Sequence, residues 1–461
     1  MRRVTTVDFA CRARHGAPHR DGACELLAWA ASGGMALTGW PALAPRPPPT
    51  PVLSRSAQLA AALADATSRV GQRVEVDLAT TLFGRAALLG GGRAGRTSVG
   101  GSCQLLRTAD GWVAVNLARI ADAEVVPALL GRPVGDPWAA LAEYARTRAA
   151  AHVAARAQEL ALPCAEVGAR HEDTTGPGRT RRLGGRRRAA SRPFVVDLSA
   201  MWAGPLAASV LGRAGARVVK VESSARPDGA RRGPATFFDD LHAGHDSVTL
   251  DFATSDGRAR LRALLARADV VIEASRPRAL AQVGVDAEAV VRSRPGLTWV
   301  SITAYGRTGP WSNRVGFGDD AAAAAGLVAR DEDGDPVFCG DALADPIAGL
   351  VAALGAATGI ARGGGVLVDV SLSGAAAWLA RPHGAPASRH RITEAGPDRW
   401  VVHHGAHQAP VAMPRAPRPV AVAEAAGAAT ERVVAAVDPA RARRTRPPGS
   451  PSRTPLARRL G

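Results

Sequence analysis

Four carboxylates stand in a glycine-rich span: Asp319 and Asp320 in Gly316-Phe317-Gly318-Asp319-Asp320, then Asp341 and Asp345 in Gly340-Asp341-Ala342-Leu343-Ala344-Asp345. Carboxylates grouped in this way can act as general acids and bases, or attack an electrophilic carbonyl. Asp345 opens an alanine-rich stretch, Ile347 to Ile360, that reads as a helix. A carboxylate just ahead of a helix also caps it, and composition alone favours that plainer role. A second candidate is the loop Ser199-Ala200-Met201-Trp202-Ala203-Gly204-Pro205. It lies between a strand and a helix, where a helix amino terminus favours a phosphate, although Pro205 in the first helical turn is also ordinary helix-start chemistry. A nicotinamide cofactor would want GxGxxG there, and only Gly204 is present, even though Glu222 could mimic the ribose-binding acid.

The elements that must position these groups alternate between strands and helices. Phe194 to Leu198, Ala216 to Glu222, Ser247 to Leu250, Asp269 to Glu273 and Leu297 to Ile302 are short apolar runs, with helix-like Leu206 to Ala214 and Gly257 to Ala266 between them. That order predicts an α/β fold: a Rossmann-like parallel sheet forming a large domain, whose ligands bind at the carboxyl ends of the strands. The organisation read from the sequence is a smaller α+β block at 1–168, a basic linker at 169–192, a catalytic and nucleotide-binding block at 193–380, and a poorly structured Pro/Ala/Arg-rich tail at 381–461. Within the first block, Arg73 to Leu78 and Trp112 to Leu117 read as strands.

With 461 residues the chain exceeds what one core usually serves. Its formal charge of +17 would suggest a polyanionic partner. Lys220 is, however, the only lysine, and the arginines cluster in Arg179 to Arg188 and Arg441 to Arg459, outside the patterned regions and without interleaved aromatics. No nucleic-acid partner is therefore expected. The five cysteines, Cys11, Cys24, Cys103, Cys164 and Cys339, form no CxxC pair and have no histidine at metal-ligand spacing, so neither a disulfide framework nor a metal site is expected. Met1-Arg2-Arg3 leads into polar residues, and no later stretch reaches membrane-spanning length without charge or turn residues; a cytoplasmic protein with no membrane partner is the expectation.

Four segments, Val196-Asp197-Leu198 to Gly204-Pro205, Gly215 to Glu222, Ala268 to Glu273 and Ala304-Tyr305-Gly306-Arg307-Thr308-Gly309-Pro310, resemble in order and spacing the family III CoA-transferases, or CaiB/BaiF family. That superfamily includes formyl-CoA transferase, carnitine CoA-transferase and alpha-methylacyl-CoA racemase. The match runs from 194 to about 378. It implies that Asp345 is the nucleophile, and that coenzyme A and acyl-CoA are substrates, with no permanently bound cofactor. It also implies that Met201, Trp202, Ala203 and Leu250 line the nucleotide. Arg276 and Arg278, near strand ends, are candidate phosphate partners.

The first block resembles the later portion of the same family. Arg96-Thr97-Ser98-Val99-Gly100-Gly101-Ser102 is similar to its active-site glycine loop, which makes Gly100 and Gly101 candidates for oxyanion stabilisation. The halves thus read as reversed in order, with one active site per chain that needs both, and the family implies a homodimer. What the resemblance implies is transfer of CoA from an acyl-CoA to a carboxylic acid through an aspartyl-CoA intermediate. Alternatives are an acyl-CoA racemase, whose histidine would lie where Phe317 stands, and a non-catalytic acyl-CoA-binding relic, since His245, Asp246 and Gln282 replace common basic residues.

Overall fold

Val195 and Val196 are neighbours in the chain and both fully buried, yet they pack into different cores. This is the period-two alternation of a strand covered on both faces, as the apolar runs predict. A computed structural model describes residues 6–11, 24–169, 177–188, 190–381 and 388–437. At its centre is a seven-stranded sheet of β1 (Arg179–Arg182), β2 (Phe194–Asp197), β3 (Arg217–Ser223), β4 (Asp246–Leu250), β5 (Val270–Glu273), β6 (Thr298–Thr303) and β7 (Val366–Ser371). The spatial order is β1-β7-β6-β5-β2-β3-β4, and all neighbours are parallel except the β1–β7 pair. The chain runs outward from β2 to β4, then returns to lay β5 on the other side of β2. That reversal opens a crevice at the carboxyl ends of β2 and β5, where open α/β sheets bind ligands.

Four helices surround the carboxylate-bearing segment: α1 (Leu78–Leu88), α2 (Ala203–Arg213), α3 (Gly318–Ala324) and α4 (Ala344–Ala361). On one face Val195, Ile272, Val300 and Val368 pack against α2 and α4, and Leu82 and Phe83 of α1 join the same cluster. The other face buries Val196, Val271, Trp299 and Leu367 under the helices Ser255–Arg267, Ala287–Ser293 and Thr430–Val437. α4 is apolar nearly all round because it is enclosed nearly all round. Gly349 makes its contact with α2 possible: a Cβ there would lie 2.7 Å from the Ala203 carbonyl oxygen.

A three-stranded antiparallel sheet, Cys103–Arg107, Trp112–Asn116 and Cys164–Glu166, lies in the first block with its own helices. Leu105 and Ala114 on its other face pack against Ala323 of α3, so this small sheet abuts the carboxylate-bearing segment.

Three sequence expectations are corrected. Residues 73–77 are extended but join no sheet: Asp77 accepts from the N–H groups of Ala79 and Thr80 and starts α1, while the Val74 N–H donates to Thr67 Oγ1. In the 169–192 segment, read as a linker, Arg179–Arg182 forms β1, pairing with β7 and presenting an exposed, charged edge. In the 381–461 segment, read as poorly structured, Ser388–Gly396, Arg399–His404 and His407–Pro410 form a sheet with Thr6–Cys11, and Thr430–Val437 is a helix. Alternation of buried Ile392, Trp400 and Val402 drives the first of these, and Val433 and Val434 the second. Residues 170–176, 382–387 and 438–461 lie outside the described residues.

Candidate active site

Asp345 sits in the first turn of α4, half-buried at the end of a helix most of whose surface is core. The turn before it is strained: Ala342 has φ 44°, a left-handed conformation that a residue with a Cβ adopts at a cost. It is held there by Asp319, whose Oδ1 accepts the Ala342 N–H at 3.1 Å. Gly318, at the start of α3, donates its N–H to the Asp345 carboxylate, and any side chain at that position would collide with Asp345. The close approach explains a glycine here.

Arg85 reaches this group from α1. Its Nε donates to Asp341 Oδ2 at 3.0 Å and its Nη2 bonds Asp341 Oδ1, a bidentate pair across 256 residues of sequence. The guanidinium also lies over the Trp202 ring, 5.2 Å from its centroid. Burial opposes the charge on Arg85, but Asp341, Asp319 and Asp345 more than offset it, and its pKa is raised.

Burial likewise pushes the carboxyls up. Asp345 rises to about 7 by burial, with Arg85 opposing and Asp319 and Asp341 adding to the rise. Asp319 rises to about 6 through burial and Asp341, against the pull of Arg85 and the hydrogen bond from Ser98. Asp341 is raised by burial, although Arg85 opposes the shift. Three carboxyls therefore share one guanidinium, and their titrations are coupled. Such a cluster can hold protons near neutrality and present one carboxylate of raised basicity to a ligand.

Asp320 is different. Its Oδ1 accepts from the Phe317 N–H at 2.8 Å, capping α3, and from Asn116 Nδ2 at 3.2 Å, while Oδ2 is buried with no partner among the described residues. Burial raises its pKa to about 7. A raised folded pKa means the native state holds a proton the unfolded chain has lost, so stability from this group is full below the unfolded value and falls as pH rises through about 7. Asp320→Asn removes that dependence; the upper bound is about 4 kcal/mol. Urea unfolding should show a gain on the order of 2 kcal/mol at about pH 8 and almost none at about pH 3. Equal effects at the two pH values would contradict it.

The glycine loop is brought to this centre: a Cβ at Gly100 would lie 3.4 Å from Arg85 Nη1. Gly101, with φ 74°, closes a turn in which its N–H donates to the Ser98 carbonyl at 2.8 Å. Its N–H is thus already used in this conformation, and Gly100 is the better placed of the two expected donors. Ala203 abuts α4 one turn below Asp345, through the Gly349 contact. Trp202 is buried between Arg85 and Phe237, edge-on to the latter at 5.3 Å. Met201, at φ 72° and exposed, has its N–H held by Asp228 Oδ1 at 2.9 Å.

Arg276 and Arg278 flank the start of the helix Pro277–Gln282, directly after β5. Burial and the neighbouring Arg278, Arg119 and Arg226 lower the Arg276 pKa, the signature of a concentrated positive field at the crevice mouth. Leu250 is not brought to the centre: its side chain is buried in the core on the opposite face of the sheet. The sequence reading missed Arg85 and Asn116, and it gave Ser98 no role of its own within the glycine loop. For Arg85 a signal existed, a charged residue beside the inward-facing Leu82, Phe83 and Ala86 of an otherwise apolar helix face.

Comparison with known proteins adds a family. Residues 194–440 match CoA-transferase family III. The chain is 32% identical over 225 residues to the succinyl-CoA:glutarate CoA-transferase of Mus musculus, covering 46% of this chain and 51% of that protein. It is 30% identical over 191 residues to the succinyl-CoA–D-citramalate CoA-transferase of Chloroflexus aurantiacus, covering 39% and 48%. A CaiB/BaiF family protein from Brucella suis of known structure aligns at 30% identity and a TM-score of 0.37, over 43% of this chain and 55% of that one. The chain spans about half the length of the curated relatives it matches.

Proposed function

The chain belongs to CoA-transferase family III, and from that premise we propose that it moves coenzyme A from an acyl-CoA donor to a carboxylic acid acceptor, with Asp345 carrying the CoA between them. The observation that supports this most is the setting of Asp345. It combines partial access, raised basicity and a glycine-lined approach at a helix amino terminus.

A carboxylate is a weak nucleophile in water, and desolvation makes it a better one. An Asp345 oxygen attacks the thioester carbonyl carbon; the C–S bond breaks, CoA thiolate leaves and a mixed anhydride remains. The thiolate then attacks the aspartyl carbonyl, expelling the donor acid and leaving an aspartyl-CoA thioester. An acceptor carboxylate repeats both steps in reverse, which regenerates the Asp345 carboxylate. Each tetrahedral oxyanion needs donors, and the N–H of Gly100, in the loop beside Arg85, is the candidate, while the Gly318 N–H holds Asp345 itself. Arg226, Arg276 and Arg278 suit the CoA phosphates. In this reading Arg85 and the glycine loop come from the first block, so the site needs both halves of the chain.

The relatives' names direct the first assays to succinyl-CoA as donor and small dicarboxylic acids as acceptors. Incubation with succinyl-CoA followed by borohydride should convert Asp345 to the corresponding alcohol, located by peptide mass spectrometry. Hydroxylamine should give the hydroxamate at the same residue. The rate of labelling should rise with pH through about 7, the range in which Asp345 loses its proton. An unlabelled protein that still binds acyl-CoA would point to a non-catalytic binder, and deuterium entering the alpha carbon without an acceptor would point to a racemase.

The same reading makes the working form a cytoplasmic homodimer acting on small acids, without a nucleic-acid or membrane partner. Light scattering that returned a monomer would remove the dimer.

A further inference from the structure

Cys24, His390 and His404 each offer a ligand atom within 4.8 Å of those of the other two, although Cys24 and His390 are 366 residues apart in sequence. Cys24 stands at the N-cap of the helix Glu25–Ser32, where burial raises its thiol pKa against the pull of the Leu26 and Leu27 N–H groups, so that without a bound cation it holds its proton. Its Sγ is 2.8 Å from His390 Nε2. His390 is in the strand Ser388–Gly396 and His404 ends the adjacent strand Arg399–His404. The two imidazoles are stacked, with centroids 4.4 Å apart and planes 20° from parallel.

The orientation of His404 suits a metal. Its Nδ1 lies 3.3 Å from the Arg389 carbonyl oxygen, an acceptor for an Nδ1–H, and this turns the opposite edge of the ring away from that carbonyl. Metal-ligating histidines are oriented by bonds of this kind. Cys24 and His390 are buried and His404 is half-buried, which leaves one side open for entry and for a solvent ligand. Tetrahedral zinc separates a sulfur and a nitrogen ligand by about 3.6 Å, so the Cys24–His390 pair needs to open by less than about 1 Å, with a turn of the His404 ring. One thiolate and two imidazoles are the donors that soft and borderline ions prefer.

We propose that Cys24, His390 and His404 form a zinc site, completed by solvent, that fastens the helix Glu25–Ser32 to the carboxyl-terminal sheet. Binding exchanges the Cys24 thiol proton for the metal: the S–H bond breaks, a Zn–S bond forms, one proton enters solvent and nothing is oxidised. The site is separate from the Asp345 centre and does not depend on the function proposed for it.

The test uses the full chain after removal of metals by chelation. Zn2+ titrated in competition with a chromophoric chelator should bind at one equivalent with sub-micromolar affinity and release a proton. Co2+ in its place should give a thiolate-to-metal charge-transfer band. Cys24→Ser should abolish that band, and both Cys24→Ser and His404→Gln should weaken zinc at least about 100-fold. His404 is half-buried, so its variant is expected to keep the wild-type fold, checked by circular dichroism, and a loss of affinity there reports on the site itself. Zinc affinity unchanged in Cys24→Ser, a cobalt spectrum without the sulfur band, or no stoichiometric binding would each overturn the proposal.

Discussion

Asp345→Asn is expected to lower CoA exchange between succinyl-CoA and a carboxylic acid by on the order of 10⁴-fold or more, the usual scale for loss of a covalent nucleophile. The asparagine keeps the shape, the place in the first turn of α4 and an acceptor for the Gly318 N–H. Binding of acyl-CoA should therefore survive, and only the step that forms the enzyme-bound acyl group should fail. The fold should not suffer either. Asp345 is a carboxyl whose pKa burial has raised to about 7, so its charged form is disfavoured in the native state. At about pH 8 the neutral amide relieves that penalty, and the melting temperature should stay level or rise. Loss of exchange without loss of stability separates a nucleophile from a helix cap, whose removal costs about 1 kcal/mol of stability and no chemistry. Exchange within about tenfold of the native rate would assign the reaction to another group.

How far the sequence reaches is clearest in the contrast between Asp345 and Arg85. The position of Asp345 at the head of a helix was legible because its signals are local: glycines before it and an alanine-rich helix after it, with motifs in family order around it. The strands β2 to β6 were legible for the same reason, since a strand buried on both faces is a short unbroken apolar run with turn residues beyond it. Arg85 is placed by a helix whose buried face carries Leu82, Phe83 and Ala86, but its partner Asp341 is 256 residues away. No periodicity encodes that meeting. Gly101 shows a subtler limit: the glycines announce a turn, but nothing in their spacing says that the Gly101 N–H closes it on Ser98. At 73–78 a two-residue alternation was overridden by one capping aspartate, Asp77. The residues 388–410 failed in the other direction, because the alternation of Ile392, Trp400 and Val402 is interrupted by a tight turn and set among Pro, Ala and His. Cys24, His390 and His404 have no spacing at all that would announce them.

Arg85→Ala is expected to be the most destabilising single change at the site. It leaves Asp341, with 0% of its side chain accessible, in a buried position without its counter-charge. Breaking a buried ion pair from one side costs about 3–5 kcal/mol. Here the cost has a pH dependence whose sign is fixed. Arg85 holds Asp341, Asp319 and Asp345 below where burial alone would put them, so its removal raises all three folded pKa values further above the unfolded carboxylate value. The native state then binds more protons than the unfolded chain across neutral pH, and stability falls as pH rises through that range. The deficit should be close to the full value at about pH 8 and shrink to about 1 kcal/mol at about pH 3, where the carboxyls are largely protonated in both states. Denaturant unfolding at the two pH values measures it. Asp341→Asn in the same chain should recover much of the loss at high pH, because the orphaned charge is gone. A deficit independent of pH, or a double variant no better than Arg85→Ala, would mean that Arg85 contributes packing against Trp202 and not charge. The acylation profile gives a second readout: without Arg85 the pH at which Asp345 becomes reactive should move upward, away from about 7.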